Sequence, residues 1–234
     1  MLKLRNISLV YPCKTKALDD ITLSMHEGES VALIGENGAG KTSLLLAVSG
    51  VFAPEQGTIE VDGIQLSKKT LREVRKRIGL VFQNPDDQLF MPLIFDDVAF
   101  GCRNFGMAED ALAARVEETL RLLHISHLGR RSSLKLSGGE KRMAAIATVL
   151  AMEPRVLMFD EPTAFLDHKA RRRVIETLQN LRHTKIVATH DLAFAAEVCD
   201  RVVILKEGRV AGDGALALLR DKTVMQNCGL EAIA

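Results

Sequence analysis

The sequence has no surplus of charge of either sign: 31 Lys and Arg stand against 30 Asp and Glu, a net of +1. That balance removes a counterion-driven hold on bulk nucleic acid and leaves room only for a local basic patch. Cysteine is scarce and scattered. Cys13, Cys102, Cys199 and Cys228 form no C-x-x-C pair, which excludes a zinc framework and a small disulfide scaffold. No run approaches the roughly 18 uninterrupted apolar residues needed to cross a bilayer. The N-terminus, MLKLRNISLVY, alternates like a strand and lacks the apolar core of a signal peptide. Internal repeats and low-complexity stretches are missing too. The chain therefore reads as cytosolic with reduced thiols, and any membrane role has to come through a separate partner chain. What remains is an ordinary globular balance, 47% hydrophobic and 26% charged over 234 residues. That length suits one large domain or two modest ones.

The first sixty-odd residues read as β-rich. Leu2–Val10 and Ile21–Met25 are alternating runs, and Ser30–Ile34 (SVALI) is a continuous apolar run of buried-strand type. It enters a glycine-rich turn and then a helical stretch, Thr42–Ser49. Thr58–Asp62 reads as a strand closed by the Asp62-Gly63 turn, and Ile78–Phe82 as another buried strand. From about Phe95 to Leu123 the pattern becomes helical, with Leu112, Val116, Leu120 and Leu123 on one face. Ser126–Lys135 is polar and basic and reads as a loop, followed by a helix over Gly139–Met152 and a strand over Val156–Phe159. His168–Leu181, Ile186–Thr189, Leu192–Val198 and Val202–Leu205 then alternate helix with strand. This predicts parallel βαβ units at both ends of the chain and an inserted helical block between them.

Gly35-Glu36-Asn37-Gly38-Ala39-Gly40-Lys41-Thr42, with Ser43 after it, matches G-x-x-x-x-G-K-[ST] in full and lies between a buried strand and a helix. Glycines let the backbone around Gly35, Asn37, Gly38, Ala39 and Gly40 wrap a phosphate with its N–H groups inward, and the following helix adds its positive end. Lys41 can reach the β and γ phosphates, while the Thr42 hydroxyl can ligate Mg2+. Such a loop needs a carboxylate on a neighbouring strand. Val156-Leu157-Met158-Phe159-Asp160 supplies one at a strand's C-terminal edge, where ligands sit in open α/β sheets. Glu161 follows directly. Two adjacent acids on an extended chain project to different sides, which suits Asp160 to Mg2+ (through water) and Glu161 to activating the attacking water.

A second anion site opens another helix: Leu136-Ser137-Gly138-Gly139-Glu140 offers a hydroxyl, backbone N–H groups and a helix dipole. One nucleotide does not need two such sites on one chain. The set resembles the ATP-binding-cassette ATPases over essentially the whole chain. The resemblance implies an α/β fold, a P-loop NTPase nucleotide-binding domain with a parallel-sheet core, an antiparallel β subdomain and an inserted helical subdomain. It would be a single domain over residues 1–234, with its catalytic core near 1–90 and 154–222 and its helical subdomain near 91–153. It also implies roles. Tyr11, the only tyrosine, sits where the family stacks an aromatic on adenine. Gln83 matches the Q-loop glutamine that contacts Mg2+ and the attacking water. Ser137, Gly138, Gly139 and Glu140 match the signature, which takes the γ-phosphate of the nucleotide held by the opposite subunit. Asp167 matches the D-loop, and His190 the switch histidine at the γ-phosphate. Phe165 is bulky where the D-loop is usually small, and His168 stands where proline is common.

Gln83-Asn84-Pro85-Asp86-Asp87-Gln88-Leu89-Phe90 and Asp96-Asp97-Val98-Ala99-Phe100-Gly101 are similar to the cobalt/nickel and energy-coupling-factor vitamin importers within that family. This subgroup implies ATP and Mg2+ as ligands and a second ATPase subunit, either a second copy or a related chain. It further implies a separate transmembrane coupling protein, a substrate-capture membrane protein, and a place on the cytoplasmic face of the membrane. Asp86 and Asp87 would meet basic residues of the coupling protein. Members of the subgroup often extend further, and with the last residue at Ala234 no regulatory domain is expected here. The alternative is a soluble cassette ATPase acting on nucleic acid or ribosomes. Repair cassettes carry long coiled coils between phosphate loop and signature, and the 94 positions from Thr42 to Leu136 hold no sustained heptads.

Overall fold

Where apolar residues alternate and where they run together decides which strands are solvated on one face and which are buried on both. The computed structural model describes residues 1–233. Its order is β1 (Leu2–Val10), β2 (Lys16–Met25), β3 (Ser30–Ile34), α1 (Lys41–Val48), β4 (Gln56–Val61), β5 (Ile64–Gln65), α2 (Leu71–Arg77) and β6 (Ile78–Val81). Then come α3 (Ile94–Asn104), α4 (Glu109–Leu122), α5 (Gly138–Leu150), β7 (Val156–Asp160), α6 (His168–Asn180) and β8 (Thr184–Ala188). The series ends with α7 (Leu192–Val198), β9 (Arg201–Lys206), β10 (Arg209–Ala215) and α8 (Lys222–Asn227). The chain divides into two compact units, one comprising Met1–Leu80, Arg155–Glu161 and the residues from Arg182 on, the other Val81–Pro154 and Pro162–Leu181.

The first unit contains two sheets. In the smaller, ordered β2-β1-β4-β5, neighbours run antiparallel, with Leu2 opposite both Met25 and Val61. β1 and β2 bury roughly alternate residues, as one-face strands do. The larger sheet has the order β10-β9-β3-β8-β7-β6. Its centre is parallel: β3 pairs with β8 and β9, and β8 with β7. β3, β7 and β8 are buried at every position, which is why they read as unbroken apolar runs. The parallel strands β3, β7 and β8 therefore release their C-terminal ends at one edge of the sheet.

In the second unit α5 packs against α3, α4 and α6. It is the most buried helix, with Met143 to Ala147 at 1% exposure or less, because four of those five residues are small or flexible enough to let neighbours approach. α4 and α6 bury single stripes, Leu112, Val116 and Leu120 on one, Val174, Ile175 and Leu178 on the other.

Several boundaries differ from the expectation. β2 begins at Lys16, not Ile21, because Val10 pairs with Lys16 across a register shift that blurs the alternation. Ser126–Lys135 contains two short 3-10 turns, Ser126–Leu128 and Ser133–Lys135. β6 stops at Val81, so Gln83 lies two residues beyond the strand. α2, β10 and α8 were not legible; β10 reads RVAGDGA, an edge strand whose glycines and aspartate carry little β signal.

Candidate active site

Residues 35–40 leave β3 and turn into α1. Gly40 caps that helix at φ 107, and a β-carbon there would meet the Ala17 carbonyl at 2.7 Å, so both conformation and space require glycine. The Lys41 side chain is almost wholly enclosed. Its Nζ donates to the carbonyls of Gly35 at 2.7 Å and Glu36 at 3.1 Å, closing the loop on itself. Burial pulls the Lys41 ammonium below its usual range, while the carboxylates of Glu161 and Asp160 pull the other way. Asn37 and Gly38 are exposed at the loop's tip, and the carbonyl of buried Ala39 accepts from Gly208 N–H at 3.0 Å. Thr42 Oγ1 donates to Asp160 Oδ2 at 2.8 Å. Ser43 Oγ and the Tyr11 hydroxyl share a hydrogen bond of 2.9 Å, and the Tyr11 ring stands edge-on to Phe52 with centroids 5.0 Å apart.

Asp160 closes β7 and Glu161 follows with φ 44, a left-handed backbone. Its N–H donates to the Ala188 carbonyl at 2.8 Å. That single left-handed residue sends the two adjacent acids apart, Asp160 to Thr42 and Glu161 to the end of β8. Glu161 Oε1 lies 2.8 Å from His190 Nδ1, and its Oε2 accepts from Thr189 Oγ1 at 3.1 Å. Thr189 is fully buried and its hydroxyl also accepts from Asp191 N–H at 3.0 Å. Lys41, Thr42, Ser43, Tyr11, Asp160, Glu161 and His190 thus all lie in the first unit, at the ends of strands that share its two sheets.

Gln83 and Ser137–Glu140 lie in the second unit. Gln83 is exposed, and its carbonyl accepts from Arg142 Nη2 at 2.5 Å. Ser137 is the N-cap of α5 in a capping box: its hydroxyl accepts from Glu140 N–H, and the Glu140 carboxylate accepts from Ser137 N–H at 2.8 Å. The Ser137 N–H, then its hydroxyl, hold the Glu140 carboxyl below the usual range. Gly138 faces open space. Asp167 caps α6 by accepting from Ala170 N–H at 2.8 Å. Asp86 is already engaged within the chain, accepting from Lys141 Nζ at 2.6 Å, which leaves Asp87 as the acid of that pair without a cation on it in the described residues.

Sequence reasoning missed three residues. Thr189 gave no signal beyond preceding His190. Arg142, 1% exposed and directly ahead of the apolar run that starts at Met143, donates to the carbonyls of Phe82 and Gln83 and holds that loop to α5. Gln88 clamps it again, accepting from Phe82 N–H and donating to Ala145 O and Thr148 Oγ1. The charged run Glu140-Lys141-Arg142 gave no sign that its last member is buried.

Chemically, the first unit brings a buried cation, a hydroxyl–carboxylate pair of hard oxygen donors, and a second carboxylate tied to an imidazole to one sheet edge. That set suits phosphoryl oxygens and a hard divalent cation. The comparisons agree. Residues 18–164 match the family model described as ABC transporter. The chain is similar to the cobalt import ATP-binding protein CbiO of Rhodobacter capsulatus, 44% identical over 230 residues, covering 96% of this chain and 82% of that protein. It is similar to the energy-coupling factor transporter ATP-binding protein EcfA of Carboxydothermus hydrogenoformans, 40% identical over 234 residues, covering 99% and 87%. Among solved structures it matches CbiO1 from Clostridium perfringens, described as part of the ABC transporter complex CbiONQ, with TM-score 0.85 and 37% identity over 97% of this chain and 93% of that one. A phosphate loop, a strand-end carboxylate pair and a full-length likeness of this kind place the chain in the ABC transporter family, as one of its ATP-binding, ATP-hydrolysing subunits.

Proposed function

We propose that this chain powers a membrane importer of the cobalt/nickel or energy-coupling-factor vitamin type. The observation that carries the reading is the convergence of Lys41, Thr42, Asp160, Glu161 and His190 at the ends of β3, β7 and β8, joined to a likeness to CbiO and EcfA that spans nearly the whole chain. In this reading Lys41 exchanges its two carbonyl acceptors for the β and γ phosphates, and residues 35–40 offer backbone N–H groups to the same oxygens. Tyr11 stacks on adenine and Ser43 fixes the ring through its hydroxyl. Glu161 Oε1 or Oε2 takes the proton of the attacking water, and His190 and Thr189 orient it.

Thr42 and Asp160 would hold Mg2+. The donor set fits, a hydroxyl and a carboxylate oxygen 2.8 Å apart. Among the described residues no group of three His, Cys, Asp or Glu could hold a metal alone. Phosphate oxygens and water therefore have to complete the shell, as hard cations at such sites require. When bound, the cation neutralises charge on the phosphoryl oxygens.

The complete site takes Ser137, Gly138 and Gly139 from a second ATPase subunit, so that ATP joins two chains. No helix among the described residues is long and apolar enough to cross a membrane, so the reading needs a separate transmembrane coupling protein, with this chain peripheral on its cytoplasmic side. The test uses Glu161→Gln, which keeps shape and loses the base. It should run as a dimer with ATP and Mg2+ and as a monomer with ADP, and adding Ser137→Arg should abolish the dimer while ATP still binds. Coexpressed with its membrane partner, the chain should copurify with that protein and not with nucleic acid. A Glu161→Gln protein that stays monomeric at saturating ATP, alone and with the membrane partner, counts against the reading.

A further inference from the structure

β3 and β9 lie side by side and parallel, with Ile34 opposite Ile204. The phosphate loop that follows β3 and the turn that follows β9 therefore leave the sheet at the same end. That turn is Glu207 and Gly208, both left-handed, at φ 49 and 76, the backbone of a two-residue hairpin. It is anchored to β2. Gly208 O accepts from Asp19 N–H at 2.8 Å, and Arg209 Nε donates to Asp19 Oδ2 at 2.7 Å. Gly208 also lies tight against that strand, since a β-carbon on it would stand 2.8 Å from the Ala17 carbonyl oxygen and 3.2 Å from the Leu18 Cα, both backbone atoms.

From this anchor Gly208 N–H donates to Ala39 O at 3.0 Å, backbone to backbone. A trans peptide unit is flat, with its C=O and N–H on opposite sides. The Ala39 carbonyl is drawn toward the turn, so the Gly40 N–H of the same unit is aimed away from it. Gly40 is buried, and that N–H has no acceptor among the described residues. A buried backbone donor needs a partner, and the carbonyls nearest in the loop, those of Gly35 and Glu36, are already taken by Lys41 Nζ. We infer that Gly208 is a positioning residue of the nucleotide site: by holding the Ala39 carbonyl outward it turns the Gly40 N–H onto the phosphates. The inference rests on the assignment of residues 35–42 to phosphate binding.

The test removes the donor in two ways in the full chain. Glycolic acid at position 208 turns the 207–208 amide into an ester, which deletes the N–H and adds no side chain. Gly208→Ala instead presses the turn off the Ala17 carbonyl; should that variant not fold, the ester decides alone. ATP with Mg2+ is titrated by calorimetry in a Glu161→Gln background, and steady-state hydrolysis is measured with Glu161 intact. Each change should weaken ATP binding about tenfold. KM should rise while kcat stays within about twofold, because the bond serves bound ATP and its transition state alike. Added to Tyr11→Ala, the ester should cost the same factor again, since the ring and the N–H would meet different parts of the nucleotide. A much smaller added loss would overturn the inference and mark the bond as a support of β2 on the adenine side. A lowered Tm with unchanged ATP affinity would also overturn it, leaving Gly208 as a hairpin residue only. Lys41→Ala separates the two levels: if that variant kept its ATP affinity, the phosphate-loop assignment itself would fail, whereas a loss there beside full affinity in the ester would sink only the role of Gly208.

Discussion

Thr189→Val is the sharpest probe of how the hydrolytic carboxylate is held. The threonine is fully buried, and its hydroxyl is the donor at 3.1 Å to Glu161 Oε2 while it accepts from Asp191 N–H. Valine fills nearly the same volume, so the packing of β8 survives and the perturbation is the hydroxyl alone. A hydrogen bond to a charged acceptor contributes about 1.5–3 kcal/mol. If that energy serves to hold Glu161 in line, kcat falls by roughly ten- to a hundredfold, since about 1.4 kcal/mol is a factor of ten. The KM for ATP should hardly move, because Lys41, Thr42 and Tyr11 are untouched. Thr189→Ser restores the donor and should restore most of kcat. The assay is steady-state ATP hydrolysis beside thermal melts of the same preparations. A valine variant with the parental kcat and only a lower Tm would show that the hydroxyl serves the fold alone, and the positioning argument would be refuted.

Two other outcomes follow from particular side chains. Tyr11→Ala removes the ring proposed to stack on adenine, worth roughly 1–3 kcal/mol in base stacking, so ATP binding should weaken tens-fold; Tyr11→Phe loses only the bond to Ser43 and should bind within a few-fold of the parent, and equal binding by Tyr11→Ala would remove the stacking role. His183 is pulled below its ordinary value of 6.5 by burial and then by the Lys185 charge, so below that pH the unfolded chain takes up a proton that the folded chain refuses. Stability should fall as pH drops through 6.5, by up to about 1.4 kcal/mol per unit; His183→Gln should flatten that limb of a denaturant-midpoint profile, and parallel profiles would exclude His183 as its source.

What was legible in the sequence is what local chemistry dictates. SVALI and VLMFD announce buried strands because both faces of β3 and β7 are covered, and the loop from Gly35 to Thr42 is contiguous, so its residue types and spacing lie on one line of text. Contacts made by register were not legible. Glu161 meets Thr189 and His190 because Asp160 stands opposite Ala188 in the parallel pair of β7 and β8, and no periodicity carries that registration. Arg142 was hidden by its neighbours, the last of three consecutive charged residues (Glu140, Lys141, Arg142) at the start of a helix, where a solvated cation is the ordinary reading. Tyr11 was the reverse case. Its scarcity marked it, but its tie to Ser43 and its edge contact with Phe52 needed coordinates.

The left-handed backbone at Glu161 has a consequence for how such a protein ages under selection. Holding a residue other than glycine at φ 44 costs the folded state on the order of 1–3 kcal/mol, whether or not nucleotide is present. Glycine or asparagine at that position would recover much of it and would be favoured by any screen that rewards heat resistance alone. Either would also delete the carboxylate that faces His190. Durability and turnover are therefore set against each other at one backbone angle, and a lineage pressed to become more robust has to find its stability elsewhere in the sheet or lose its motor.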